Sequence, residues 1–90
     1  MNVIKKSGRT VPFTLDKIET SIRNAGLDLK AQLSEHDVHM MAKDVQKRLI
    51  AMRGEDGLTS AFEIRAITVV AVKAYGYEKV ARHYAQGIYE

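Results

Sequence analysis

The chain has no cysteine, one proline and three histidines among its 90 residues. Without cysteine it holds no disulfide framework, no thiolate nucleophile and no Cys-type zinc site. Three scattered histidines do not make up a structural metal set, so no metal site is expected. No run approaches 18 apolar residues, which excludes a membrane-spanning helix. Met1-Asn2-Val3-Ile4-Lys5-Lys6 lacks the apolar core of a signal peptide, so the expected location is the cytoplasm. There is no G-x-x-x-x-G-K-[ST] or G-x-G-x-x-G loop. Repeats, low-complexity tracts and Gly/Ser linkers are also missing, and the length predicts one domain over residues 1–90.

What is there is an ordinary globular mixture, 46% apolar and 28% charged, which predicts a folded chain. The net charge of +3 is unevenly placed. Residues 1–17 hold Lys5, Lys6, Arg9 and Lys17 against the single acid Asp16, whereas acids and bases cancel over residues 18–90. The sequence pI of 9.3 reaches the range of duplex-binding proteins, but those carry longer basic stripes. Four cations suit a few phosphates, the scale of one nucleoside triphosphate.

Punctuation and periodicity divide the chain. Val3-Ile4-Lys5-Lys6 and Arg9-Thr10-Val11, separated by Ser7-Gly8, predict a β-hairpin over 3–12 with a two-residue turn, ended by Pro12. Thr14 is placed to cap a first helix over about 15–25, with Leu15, Ile18 and Ile22 on one face and Gly26 as its stop. Ser34 caps a second over about 35–53, where Val38, Met41, Ala42, Val45, Leu49 and Met52 form the apolar stripe. Ser60-Ala61-Phe62-Glu63 reads as a capping box opening a third helix, about 61–74. That helix is apolar on nearly all sides, as in a central buried helix. Its run Ile67-Thr68-Val69-Val70 also suits a strand, but the capping box and interleaved alanines favour helix. After Tyr75-Gly76, a fourth helix is predicted over about 77–89, with Val80, Ala81, Tyr84 and Ile88 at helical spacing. The fold class is therefore α+β, mostly α: an N-terminal hairpin packed on a small bundle of about four helices.

No residue set reads as catalytic, and the chain is not expected to be an enzyme by itself. Ser7, Ser21, Ser34 and Ser60 fall at turns, caps or helix faces without an obvious base. His36 and His39 have a spacing that suits a metal pair, yet no third ligand accompanies them, and they read as exposed helix histidines. The hairpin offers more. Lys5, Lys6 and Arg9 cluster at a glycine turn, and Lys17 sits one turn into a helix whose first N–H groups attract anions. Val3, Val11, Phe13 and Ile18 lie beside these cations and suit a planar base. The plainer reading is a solvated basic hairpin protecting a sheet edge.

The segment Val3 to Ile18, VIKKSGRTVPFTLDKI, resembles the opening signature of the ATP-cone domain, in which a V-x-K-R-D-G hairpin leads into F-D/N-x-x-K-I. The resemblance continues at Ile64 and at Tyr77-Glu78-Lys79-Val80-Ala81-Arg82-His83-Tyr84, which is similar to the family's closing V-A-x-x-Y segment. It implies a regulatory domain of ribonucleotide reductases, or of the repressor of their genes, that binds ATP or dATP with Mg²⁺ and switches oligomeric state without hydrolysis. By motif position it implies phosphate contacts from Lys5, Lys6 and Lys17, and a nucleotide-facing Thr14. It implies base and sugar surroundings from Val3, Val11, Phe13 and Ile18, with Arg65 where some members place a nucleotide-touching His. Partners implied are an adenine nucleotide and either further copies or reductase subunits, with no membrane and no direct nucleic-acid contact. The chain departs from the pattern at Lys6, where Arg is common, at Ser7, where Asp is usual, and at Val11, where some members carry Glu. Two other readings remain: a nucleic-acid-associated module using the same hairpin, and a degenerate cone acting only in oligomer contacts.

Overall fold

The computed structural model describes residues 1–87. Three short strands and four helices follow in the order β1 (Asn2–Ile4), β2 (Thr10–Pro12), α1 (Leu15–Asp28), α2 (Glu35–Arg53), β3 (Leu58–Ser60), α3 (Ala61–Ala74) and α4 (Glu78–Gln86). The α+β class, mostly helical, is as expected. Positions 88 and 89 of the expected fourth helix lie outside the described residues, and so does the expected helical position Ile88.

The hairpin forms, with Val3 opposite Val11, but its turn is wider than a two-residue loop. Gly8 N–H donates to the Lys5 carbonyl (2.9 Å) and Lys5 N–H to the Arg9 carbonyl (2.8 Å). Gly8 lies at φ +87°, where its missing Cβ removes the steric penalty. This is the three-residue connection in which a turn is followed by a left-handed glycine. Pro12 is the last residue of β2, as expected, opposite Asn2 on an edge strand at a position that needs no inward donor. Phe13 N–H then donates to the Met1 carbonyl (2.9 Å).

The sheet has a third strand that the sequence pattern did not signal. β3 pairs parallel with β1, in the order β2-β1-β3, with Val3 opposite Thr59 and Ile4 opposite Ser60. Val11, Val3 and Thr59 thus form one row across the inner face. Because α3 begins immediately after β3, this pairing sets the start of α3 beside the hairpin.

The helices close the core. α3 packs on α2 and α4, and α1 on α2 and α4. Ile22, Val38, Met41, Val45, Leu49 and Val72 are fully buried at the centre. Tyr84 is buried too, and its hydroxyl shares a 3.0 Å hydrogen bond with the buried Ser21 hydroxyl, which itself donates to the Ile18 carbonyl (2.9 Å). At the opposite end, the Tyr77 hydroxyl donates to the Asp37 carboxylate, an acceptor that raises the phenol's pKa above its ordinary value.

Four local expectations are corrected. Gly26 does not stop α1. It is buried inside the helix, where an added Cβ would stand 2.6 Å from Leu33 Cδ1. The helix ends at Leu29 instead, through Lys30 at φ 54°. Ala31 N–H reaches the Gly26 carbonyl (2.9 Å) and Lys30 N–H the Leu27 carbonyl (3.0 Å), the two bonds of a Schellman motif. Met52 leaves the apolar stripe of α2 and is 54% exposed, because the last turn of α2 runs past the core. α3 is helical throughout but not buried on all sides: Ile64, Thr68, Ala71 and Val72 face the core, while Phe62 and Val70 face solvent. The capping box is half made. Glu63 N–H donates to Ser60 Oγ (3.1 Å), but the Glu63 carboxylate turns to Arg53 (2.7 Å) and to the Thr59 hydroxyl (2.7 Å) instead of the cap. These donors hold Glu63 below the usual carboxylate range.

Candidate nucleotide pocket

The inner face of the hairpin, the start of α1 and the start of α3 enclose a pocket of about 40 Å³. Strand alternation turns Val3, Lys5 and Val11 to this side, and Pro12 and Phe13 carry the wall on toward α1. Thr14, Lys17 and Ile18 come from the first turn of α1 and the residue before it. Ala61 and Ile64 come from the first turn of α3.

Seven residues singled out in the sequence, Val3, Lys5, Val11, Phe13, Thr14, Lys17 and Ile18, therefore line one cavity. Lys6 and Arg65 stand outside its wall. Lys6 lies in the turn, and its ammonium sits 5.9 Å from the centre of the Phe62 ring on α3, within cation–π range. Arg65 is one helical step past Ile64, so it is rotated about 100° from the wall. Pro12, Ala61 and Ile64 complete the lining. Ile64 belonged to the motif resemblance, whereas Ala61 had no signal, since only the β1–β3 pairing brings it to the hairpin.

The chemistry of the pocket divides by depth. Its wall is hydrocarbon from Val3, Val11, Phe13, Ile18, Ala61 and Ile64, and its polar side chains are two ammoniums and one hydroxyl, from Lys5, Lys17 and Thr14. Thr14 is the N-cap of α1, with extended backbone (φ −130°, ψ 133°), but its side chain makes no capping hydrogen bond. Ser34 and Ser60, by contrast, accept from Asp37 N–H (3.0 Å) and Glu63 N–H (3.1 Å). The first-turn amides of α1 thus receive no side-chain cap, at the positive end of a 14-residue helix. The arrangement suits an anion joined to a flat apolar group.

The remaining charged side chains form a different pattern. Arg23–Glu35 (2.8 Å), Arg53–Glu63 (2.7 Å) and His39–Glu19 (2.9 Å) tie elements together across the surface. The guanidinium of Arg23 holds Glu35 below the usual carboxylate range. Among the described residues no group of His, Asp or Glu is placed to hold a metal ion, and no helix is long and apolar enough to cross a membrane.

A basic hairpin set on a helix start, over an apolar floor in a mostly helical α+β domain, defines a small anion-and-ring-binding module. The sequence model of the ATP cone domain matches residues 1–86 of the chain. The chain belongs to the ATP-cone family, a regulatory and non-catalytic class of domain that binds ATP or dATP as effector. Comparison with curated proteins gives no match.

Proposed function

We propose that this chain is an allosteric domain of ribonucleotide reductase type, in the cytoplasm, that binds ATP or dATP between the hairpin and α1. The observation that carries the reading is the convergence of Lys5, Lys17 and the uncapped start of α1 on one apolar pocket. The base and sugar lie against Val3, Val11, Phe13 and Ile18, with Thr14 beside them. Lys5 and Lys17 meet the triphosphate, and the longer phosphate chain extends toward Lys6 and Arg65. Mg²⁺ carried in with the nucleotide would neutralise part of the phosphate charge, leaving the rest to Lys5 and Lys17. The donor set fits such a ligand, because ammoniums and helix amides are donors that a polyanion satisfies.

Regulation requires that ATP and dATP favour two states unequally. Those states differ in association with further copies or reductase subunits. The outer face of the sheet, opposite the pocket, leaves Ile4 37% and Leu58 50% exposed, an apolar surface for such contacts. Titration calorimetry with ATP and then dATP, in the presence of Mg²⁺, tests the reading. Binding of both with unequal affinity supports it; no binding of either rules it out.

A further inference from the structure

The α3 wall of the pocket, Ala61 and Ile64, comes from a part of the chain remote in sequence from the hairpin and α1. It reaches them through the three residues of β3, where Thr59 stands opposite Val3 and Ser60 opposite Ile4. A parallel ladder this short is weak by itself and leaves the helix that follows free to tilt. Side chains supply the brace. Glu63 lies between the two wall residues in sequence, and its carboxylate accepts Arg53 Nη2–H (2.7 Å), Arg53 Nε–H (3.1 Å) and the Thr59 hydroxyl (2.7 Å). Its own N–H donates to Ser60 Oγ (3.1 Å). We infer that Arg53, outside the pocket, is a positioning residue for the nucleotide site: through Glu63 and Thr59 it holds the first turn of α3, and with it the Ala61–Ile64 wall, against the hairpin. The inference rests on the proposed nucleotide site and adds how one of its walls is set.

Arg53 is itself held in place. It is the last residue of α2, and the loop after it folds back on its backbone. A Cβ on Gly57 would stand 2.1 Å from the Arg53 carbonyl oxygen, so only glycine permits this approach. Gly57 N–H donates to the Gly54 carbonyl (3.1 Å), and the Gly57 carbonyl accepts from Asn2 N–H (3.1 Å) at the start of β1. The same loop is thus anchored to α2 and to the hairpin. From that anchor, a planar guanidinium meeting a carboxylate with two bonds sets orientation as well as distance.

The exposure of the pair points to geometry as its role. The Arg53 side chain is half exposed, and an ion pair that open contributes little to global stability. Its consequence is local. Ala61 and Ile64 offer only hydrocarbon, which suits the ring and sugar of a nucleotide. Lys5, Lys17 and the start of α1, assigned to the phosphates in the proposed site, stand on other elements. A displaced α3 wall should therefore weaken the hold on the nucleoside and spare the hold on phosphate.

The test is calorimetry of the chain, Arg53→Met and Arg53→Lys with ATP and with inorganic tripolyphosphate. Arg53→Met keeps an apolar stem and removes the fork; Arg53→Lys keeps the charge and loses the fork. Both variants should bind ATP roughly 4- to 15-fold more weakly, the worth of one to two buried methylenes. Tripolyphosphate should bind both within about twofold of the parent chain, which also shows that they are folded. Unchanged ATP affinity in Arg53→Met overturns the inference. So does an equal loss of ATP and tripolyphosphate in Arg53→Met with full recovery in Arg53→Lys, since charge and not position would then be at work. Either result leaves the nucleotide site standing. A parent chain that binds no ATP overturns both.

Discussion

Lys17 stands one turn into α1 and lines the pocket while remaining exposed. Its loss would remove the proposed charge-assisted contact to phosphate without opening the core. Lys17→Ala is expected to weaken ATP binding by roughly tenfold or more, since hydrogen bonds to charged groups contribute about 1.5–3 kcal/mol. The melting temperature of the free domain should not move, and a thermal scan beside the titration checks both. Glu63 makes a different prediction. Its native pKa lies below the ordinary 4.5 because Arg53 and Thr59 donate to the carboxylate. The unfolded chain therefore binds protons more readily than the native one, and stability from this group is present above about pH 4.5 and lost as pH falls through the lower native value. Urea midpoints should favour the native protein over Glu63→Gln at about pH 6, with the gap narrowing toward about pH 3. The pocket residues of the hairpin and the start of α1 were legible because strand alternation and the first helical turn place them from local sequence alone. The partner of Glu63 was not, since capping-box spacing describes a local bond and Arg53 competes from ten residues away.

Among the elements, the helix starts were clearer than the helix ends. Ser34 and Ser60 both cap as their spacing implies, and Ser60→Ala should cost about 1 kcal/mol in chemical denaturation. The end of α1 was misread because glycine serves two physical roles. Gly26 is small so that Leu33 can approach, whereas the left-handed position falls on Lys30. A lysine there carries a steric cost of about 1–2 kcal/mol that glycine avoids. Lys30→Gly is accordingly expected to stabilise the domain by about 0.5–1 kcal/mol, the entropy of the unfolded glycine offsetting part of the gain. A lower denaturation midpoint in this variant would contradict the Schellman assignment. The three residues of β3 are too few to show a period, and their pairing with β1 spans more than fifty positions. That strand is a product of tertiary structure, and so is the placement of Ala61 and Ile64 at the pocket.

At the scale of the molecule, charge and packing are segregated. The excess positive charge sits on the hairpin and the start of α1, and the bundle behind them is close to neutral. Nucleotide affinity should therefore fall as salt rises, while the bundle, held by buried Ile22, Met41, Leu49 and Tyr84, changes little in stability. The same segregation makes the site local enough to map in solution. The most direct measurement is a two-dimensional ¹H–¹⁵N amide spectrum of the chain titrated with ATP and Mg²⁺. The account predicts that the amides that shift cluster at Val3–Ile18 and Ala61–Ile64, with those of α2 and α4 nearly still. Shifts centred on α2 or α4, or none at saturating nucleotide, would contradict a nucleotide site between the hairpin and α1.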